Sequence, residues 1–202
     1  MMNVRRSSAR KTNVRKMTII GVLSAISIML SMTPLGFIPI GPINATIMHI
    51  PVIIGAIIEG PIVGMTIGFI FGATSLIRAL TMPTLTSFVF LNPIVSIVPR
   101  VLIGITAYYL FVLLKKVTKN NYLSGWITGI VGSIINTAGV LGLVYLLYGQ
   151  RYAEAFAQTT GDAIQTAKAL ILGIFITNGI PEAIVGGFIV SAVCVVMYKR
   201  KK

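Results

Sequence analysis

The sequence predicts an all-α integral membrane protein with six transmembrane helices, and three observations support this fold class. The 202 residues are 55% hydrophobic and 10% charged, with a mean hydropathy of +0.92, which is more apolar surface than one soluble core could bury. Six apolar stretches approach the roughly 20 residues that a helix needs to cross a bilayer. The basic residues cluster between these stretches, which favours membrane topology over nucleic-acid binding as the cause of the net charge of +13.

The apolar stretches define the predicted spans. They cover residues 17–32, 45–58, 62–80, 87–114, 124–148 and 163–198. The second is short and the last is long, so we expect tilted helices or extensions beyond the bilayer. These spans form one membrane domain, 17–198, between basic cytoplasmic tails at 1–16 and 199–202. A signal peptide is the alternative for the first span, but no small-x-small cleavage site precedes the prolines that follow it.

The distribution of basic residues predicts the orientation. Six lysines and arginines precede Met17, three more follow the fourth span at Lys115, Lys116 and Lys119, and the chain ends in "KRKK". With six spans, all three clusters fall on one side of the membrane. By the positive-inside rule, both termini are cytoplasmic and the connections 33–44, 81–86 and 150–162 face outward.

Glycines mark places where helices can approach closely. Gly60, Gly64, Gly68 and Gly72 recur every four residues through the third span, which predicts a smooth stripe that packs within this chain or against another chain. The Gly60–Pro61 pair predicts a tight turn between the second and third spans. The prolines at 34, 39 and 42 end the first helix and stiffen the outward connection.

Three charged residues within the predicted spans are candidates for a site, because charges at membrane depth usually pair or line a cavity. Arg78 lies near the outer end of the third span. Arg100 is fifteen residues before Lys115, or roughly 22 Å, and Glu182 is seventeen before Lys199, or roughly 25 Å, which places both at a similar depth. They form either an ion pair with each other or part of a ligand site.

Three amides add polar groups in the same region. Asn92, Asn136 and Asn178 stand beside prolines or small residues that loosen helices, and freed backbone groups are tolerated in a membrane only where protein or water satisfies them. We therefore expect a polar cavity in the outer half, of a size that suits a small molecule. The single histidine, His49, makes a structural hydrogen bond or contacts the ligand.

The motifs that the sequence lacks argue against an enzyme. It contains no "GxxxxGK[ST]", "HExxH" or "GxSxG" pattern, only four acidic residues, and one cysteine, Cys194. We therefore assign no catalytic residue and no metal ligand. A self-sufficient proton- or sodium-coupled secondary carrier stays open because Glu182 could carry a proton, although six spans without a visible repeat are few for alternating access. A structural or assembly factor in the membrane is a third possibility.

Several stretches carry a family resemblance. The first span "GVLSAISIML", the run "GFIPIGPINATIMHIPVIIGAIIEGPIVGMTIGFIFGATSLIRA" and the later "FLNPIVSIVPRVLIG" resemble the substrate-binding S-components of energy-coupling factor (ECF) vitamin transporters. The resemblance implies a six-helix subunit with cytoplasmic termini that captures a vitamin from outside. It also implies docking on a T-component and two ATPases, which use the ATP, so no cofactor is expected in this chain.

The resemblance implies roles for particular residues. Gly21 and Ala25 match the family's Ala-xxx-Ala docking pair, with glycine replacing the first alanine. The first outer connection, 35–46, would cover the pocket. The candidate ligand-binding residues, at the inner edge of that connection, at the outer end of the third span and along spans four to six, are Asn44, His49, Arg78, Asn92, Arg100, Asn136, Asn178 and Glu182.

The substrate expectation also rests on resemblance. The first loop and second span most resemble pantothenate-type members, and the carboxylate of pantothenate would bind Arg78 or Arg100 through a charge-assisted hydrogen bond. Folate, riboflavin and pyridine- or pyrimidine-type vitamins remain alternatives. Few aromatic residues are expected at pocket depth, and Trp126 is placed at the cytoplasmic interface, which favours an aliphatic ligand over a flat ring.

Overall fold

The structure, a computed structural model, describes residues 2–40, 43–84, 86–160 and 166–199. In chain order its main elements are α1 (Met2–Met32), β1 (Phe37–Ile40), β2 (Ile43–Thr46), α2 (Ile50–Glu59), α3 (Pro61–Thr81), α4 (Pro93–Thr118), α5 (Asn121–Thr160), α6 (Ala167–Ile174), a π-helical segment (Phe175–Gly179) and α7 (Ile180–Lys199). Short 3-10 helices, Pro34–Gly36 and Ser87–Leu91, precede β1 and α4. The elements α6 to α7 form one continuous helical stretch.

Five helical stretches are long and apolar enough to cross a membrane. They are Asn13–Met32, Pro61–Thr81, Pro93–Thr118, Asn121–Gln158 and Ala167–Tyr198. The sixth predicted span corresponds to α2, which has only ten residues. At a rise of 1.5 Å per residue, α2 is about 15 Å long, roughly half the thickness of a hydrocarbon core.

Several predicted boundaries were wrong. The span predicted at 45–58 begins in β2, and its helix starts only at Ile50, because Pro51 suits the first turn of a helix but not its interior. The span predicted from residue 87 begins as a 3-10 helix, and α4 starts after Asn92. The predicted tail before residue 17 is helical from Met2 onward.

The outward connection predicted at 150–162 was also wrong where the structure describes it, since α5 continues to Thr160. The polar residues of this stretch predicted a connection between helices. The apolar residues among them, however, form a face on which α5 continues to pack. Ala153 is buried, and Tyr152 and Phe156 pack with it against α6. At forty residues, α5 is about 60 Å long and extends beyond a bilayer of about 30 Å. Asp162 lies outside the described residues, as do 163–165 of the last predicted span.

The first of the connections predicted to face outward contains a small hairpin within an otherwise helical fold. The strands β1 and β2 pair antiparallel, with Phe37 opposite Thr46 and Ile40 opposite Ile43. Prolines prevent α1 from continuing, and Pro39 is tolerated in a strand that has a free edge. Gly36 allows the chain to turn here, because a Cβ atom at this position would lie 2.1 Å from the Leu30 carbonyl oxygen.

The short helix α2 lies at the centre of the bundle. Seven of its ten residues are buried, and Val52, Ile53 and Ala56 are fully buried. It contacts α1, α3, α4, α5 and α7. A helix that is apolar all round is stable only inside other elements, so the brevity of α2 is compatible with a central position. Gly60, at φ +100°, makes the one-residue turn from α2 into α3.

The glycine stripe of the third span packs against α4. A Cβ atom at Gly64, Gly68 or Gly72 would lie 2.9, 2.3 or 2.6 Å from the carbonyl oxygens of Gly104, Arg100 and Ser96 respectively. The stripe therefore packs within the chain, and the two backbones are nearly in contact. This close approach fixes the position of Arg100 relative to α3.

Candidate functional site

A cavity of about 270 Å³ lies at the end of the bundle that carries the hairpin. It is bordered by the end of α1, the base of the hairpin, the last turns of α3, the connection from α3 to α4, and inward positions on α4 and α5. The lining residues are Ser31, Thr46, Met48, Phe71, Ser75, Arg78, Ala79, Met82, Thr84, Ser87, Phe90, Arg100 and Asn136. The expected polar cavity is therefore present.

Arg100 supplies the buried positive charge of the cavity. Its residue is 6% exposed, its Nη1 donates a hydrogen bond to the Val95 carbonyl oxygen at 2.8 Å, and its Cζ lies 5.4 Å and 5.7 Å from the ring centroids of Phe71 and Phe90. Its Nε has no hydrogen-bond partner among the described residues. An unsatisfied donor on a buried cation is costly unless a ligand or water completes it.

Asn136 and Arg78 complete the set of predicted residues that line the cavity. Asn136 is 6% exposed, and its Oδ1 has no hydrogen-bond partner within the described structure. Arg78 lies in the last turn of α3 and is less buried than Arg100. The cavity thus offers a buried donor, a buried acceptor and a second cation, which is an arrangement that suits a small anion with hydrogen-bond donors.

The cavity is not lined by four other candidates, which are His49, Asn92, Asn178 and Glu182. His49 is fully buried, and its Nε2 lies 2.7 Å from Ser133 Oγ. Because Ser133 Oγ donates to the Gly129 carbonyl, His49 Nε2 donates to the serine, as a structural hydrogen bond. Asn92 caps α4 by accepting from the Ile94 N–H at 2.9 Å, and its Nδ2 donates to Tyr148 Oη at 3.2 Å. These two residues therefore have structural partners.

Asn178 is buried in the π-helical segment, beside α7. This irregularity agrees with the expectation that the chain loosens near Gly179, whereas α5 runs without a break past Asn136. A π-helical turn inside a longer helix is often found at a functional site. Asn44 belongs to β2, but its side chain lies outside the described part of the chain, as do residues 41 and 42.

Glu182 forms no ion pair with Arg100 within 4.0 Å, and the described residues include one ion pair, Arg15–Glu59 at 2.7 Å. Its carboxylate accepts three hydrogen bonds instead. Oε1 accepts from the Thr46 N–H at 2.6 Å and from Thr46 Oγ1 at 3.0 Å, and Oε2 accepts from Thr137 Oγ1 at 2.7 Å. The carboxylate therefore joins the end of β2 to α5.

Sequence reasoning missed the aromatic residues of the cavity. Phe71 and Phe90 line it, and neither was among the candidate residues. Phe71, Ser75 and Arg78 follow the i, i+4, i+7 spacing of one helix face, so the sequence contained a signal for Phe71. Phe90 had no such signal, because it lies in the 3-10 helix before α4.

The predicted docking pair lies on the outside of the bundle. Gly21 and Ala25 are exposed on α1, and a Cβ atom at Gly21 would have no atom within 4 Å. The described structure therefore leaves this face of α1 open, in contrast to the glycines of α3.

Comparisons with known proteins agree with this architecture. The model of the family "ECF transporter, substrate-specific component" matches residues 15–194. The "Pantothenic acid transporter PanT" of Lactococcus lactis subsp. cremoris is 28% identical over 159 residues, which cover 71% of this chain and 79% of that relative. The "Pantothenate transporter PanT" of Leuconostoc mesenteroides subsp. mesenteroides is 29% identical over 170 residues, or 79% of each chain.

The match extends from the first span into α7 and includes every residue that lines the cavity. Together with the five apolar helices of spanning length, it identifies a multi-pass protein of the cell membrane that takes part in transport. The chain belongs to the family of ECF transporter substrate-specific components.

Proposed function

We propose that this subunit captures pantothenate from outside the cell and delivers it inward together with a T-component and two ATPases. The observation that carries the proposal is the unpaired Nε of the buried Arg100 at the cavity. A ligand carboxylate would accept a charge-assisted hydrogen bond from this atom. Two relatives with pantothenate in their names support the same ligand.

The rest of the cavity also suits pantothenate, which carries a carboxylate, a central amide and two hydroxyl groups. Asn136 Oδ1 is a buried acceptor that a ligand hydroxyl or amide N–H would satisfy. The guanidinium of Arg100 lies over the rings of Phe71 and Phe90, so one face of each ring is already occupied. This arrangement favours an aliphatic ligand over a flat heterocycle.

The orientation proposed for the subunit has the cavity facing outward. The cavity lies at the hairpin end, whereas the α2–α3 turn and the α4–α5 turn, with Lys115, Lys116 and Lys119, lie at the opposite end. The positive-inside rule makes the basic end cytoplasmic. Single cysteines at Thr84 and Tyr122, in a Cys194→Ala background, test this with a membrane-impermeant maleimide, which should label only position 84 in intact cells.

The proposed partners are a T-component and two ATPases, as the family implies. We place their contact on the open face of α1 around Gly21 and Ala25, where a neighbouring helix could approach closely. Uptake measured with and without the ATPase module tests the partnership. Uptake by this chain alone would instead favour a self-sufficient secondary carrier.

The binding experiment compares pantothenate with pantothenol, its neutral alcohol analogue, on the purified subunit. Wild-type protein should bind pantothenate more tightly than pantothenol. Arg100→Met should weaken pantothenate binding about ten- to a hundredfold, since hydrogen bonds to charged groups contribute about 1.5–3 kcal/mol, and should change pantothenol binding much less. Calorimetry or radioligand binding measures both affinities.

Arg151→Met is the matched control for the loss of a cation. Arg151 is exposed and does not line the cavity, and its Cζ lies 4.5 Å from the Phe88 ring centroid. It should leave both affinities unchanged. The proposed ligand would be wrong if wild-type protein bound riboflavin or folate in preference to pantothenate, and the proposed carboxylate site would be wrong if Arg100→Met weakened both ligands equally.

A further inference from the structure

Glu182 lies beside the cavity without lining it. The residue is 5% exposed, and it follows the π-helical segment in the first turn of α7. Both carboxylate oxygens are engaged by the three hydrogen bonds from Thr46 and Thr137. A group whose oxygens are all directed at protein donors is poorly placed to be a ligand contact.

The partners of Glu182 connect it to two parts of the cavity wall. Thr46 lines the cavity itself, and it donates through its main-chain N–H as well as its hydroxyl. Thr137 does not line the cavity, but it is the residue after Asn136, which does. The carboxylate therefore sets the distance between the end of β2 and the turn of α5 that presents Asn136.

We propose that Glu182 is a positioning residue that holds Thr46 against α5 and thereby slows release of the ligand. This inference rests on the proposed function, in which the cavity binds the transported molecule. The main-chain bond is the important one, because it fixes the backbone at the base of the hairpin and not only a side chain.

Removal of the carboxylate leaves the Thr46 N–H without an acceptor in a partly buried position. Since buried main-chain donors are nearly always paired, the end of β2 should shift until this group reaches water. The wall of the cavity would then open beside Thr46, while the backbone of Arg100 stays fixed by its contact with Gly68. Ligand dissociation should accelerate more than association slows.

The test uses Glu182→Leu, Glu182→Gln and Thr137→Val in the full-length protein. Glu182→Leu should raise the dissociation rate of radiolabelled pantothenate about ten- to a hundredfold. Glu182→Gln keeps an acceptor for Thr46 and should restore the rate to within about threefold of wild type. Thr137→Val should give an intermediate rate, and the Glu182→Leu/Thr137→Val double variant should be no worse than Glu182→Leu alone.

Hydrogen exchange of the ligand-free protein gives a second measurement. Peptides that contain Thr46 should exchange faster in Glu182→Leu than in wild type, and Glu182→Gln should protect them again. Glu154→Gln is the matched control, since Glu154 is exposed on α5, and it should change neither measurement. This exchange does not depend on the identity of the ligand, so it separates the two proposals.

Unchanged exchange and unchanged dissociation in Glu182→Leu would overturn the positioning role. A Glu182→Gln variant as defective as Glu182→Leu would also overturn it, because the charge itself would then be what the site requires. If wild-type protein fails to bind pantothenate while exchange responds as expected, the proposed function fails and the wall-positioning role stands.

Discussion

The two ends of the bundle differ in their packing, since one contains an apolar core and the other a cavity. Towards the α2–α3 turn, Ile53, Ile67, Ile103 and Phe111 belong to one core cluster with almost no exposed surface. Towards the hairpin, the helices enclose a cavity with two buried polar atoms, on Arg100 and Asn136, that have no hydrogen-bond partner among the described residues. One end is filled with apolar side chains, whereas the other contains a cavity bordered by polar ones.

The difference shows how a small membrane subunit can hold a polar site. Unpaired polar groups cost about 1–3 kcal/mol each, and they persist only when the surrounding structure holds them in place. Here the glycines of α3 pack against the backbone of α4, and this contact fixes the position of the Arg100 backbone. Substitutions at the packed end should therefore change stability, and substitutions at the cavity should change binding.

The largest effect on the isolated subunit is expected from Gly68→Ala. The added Cβ would lie 2.3 Å from the Arg100 carbonyl oxygen, so α3 and α4 must separate. Overpacking of this kind costs typically about 1–3 kcal/mol, and the shift of Arg100 should also weaken pantothenate binding. Thermal unfolding in detergent measures the first effect. Gly21→Ala is the control, and equal melting temperatures for the two variants would contradict the comparison.

A smaller effect, confined to binding, is expected from Asn136→Leu. The variant removes a buried unpaired acceptor, so the melting temperature should stay the same or rise, while pantothenate affinity should fall about tenfold. Asn178→Leu is a close control because Asn178 is equally buried and does not line the cavity, and its Oδ1 also has no partner in the described part of the chain. Equal losses of affinity in both variants would show that the amides affect binding through helix packing and not through contact with the ligand.

The smallest effect on the isolated subunit is expected from Gly21→Leu. Its position faces open space on α1, so stability and pantothenate affinity should both match wild type. Uptake through the complete transporter should nevertheless be lost, because the larger side chain prevents close approach of a partner helix. Normal uptake in cells that express the T-component and ATPases would show that this face of α1 is not the docking surface.

Much of the architecture followed from local sequence. The apolar runs predicted six spans, and five of them are helices of spanning length in the described part of the chain. Glycines at every fourth residue predicted a close helix contact, which the structure locates between α3 and α4. The hairpin and the full length of α5 were missed. In both cases contacts decide the conformation, since β1 and β2 pair with each other and the end of α5 packs against α6.

The candidate site was predicted only in part. Depth along a helix can be counted from the sequence, so Arg78, Arg100 and Asn136 were found as residues that line the cavity. Depth does not reveal direction, however, and His49 and Asn92 instead have structural partners. The similar depth of Arg100 and Glu182 suggested a pair, whereas Glu182 bonds Thr46 and Thr137.

The sequence by itself determined that this is a multi-span membrane protein of the S-component type, because hydrophobic length, basic clusters and family motifs are properties of consecutive residues. Only the tertiary structure decided which polar groups share a cavity and which satisfy one another. Those relations join residues such as Thr46 and Glu182, which are 136 positions apart, and they depend on how the helices pack rather than on any local pattern.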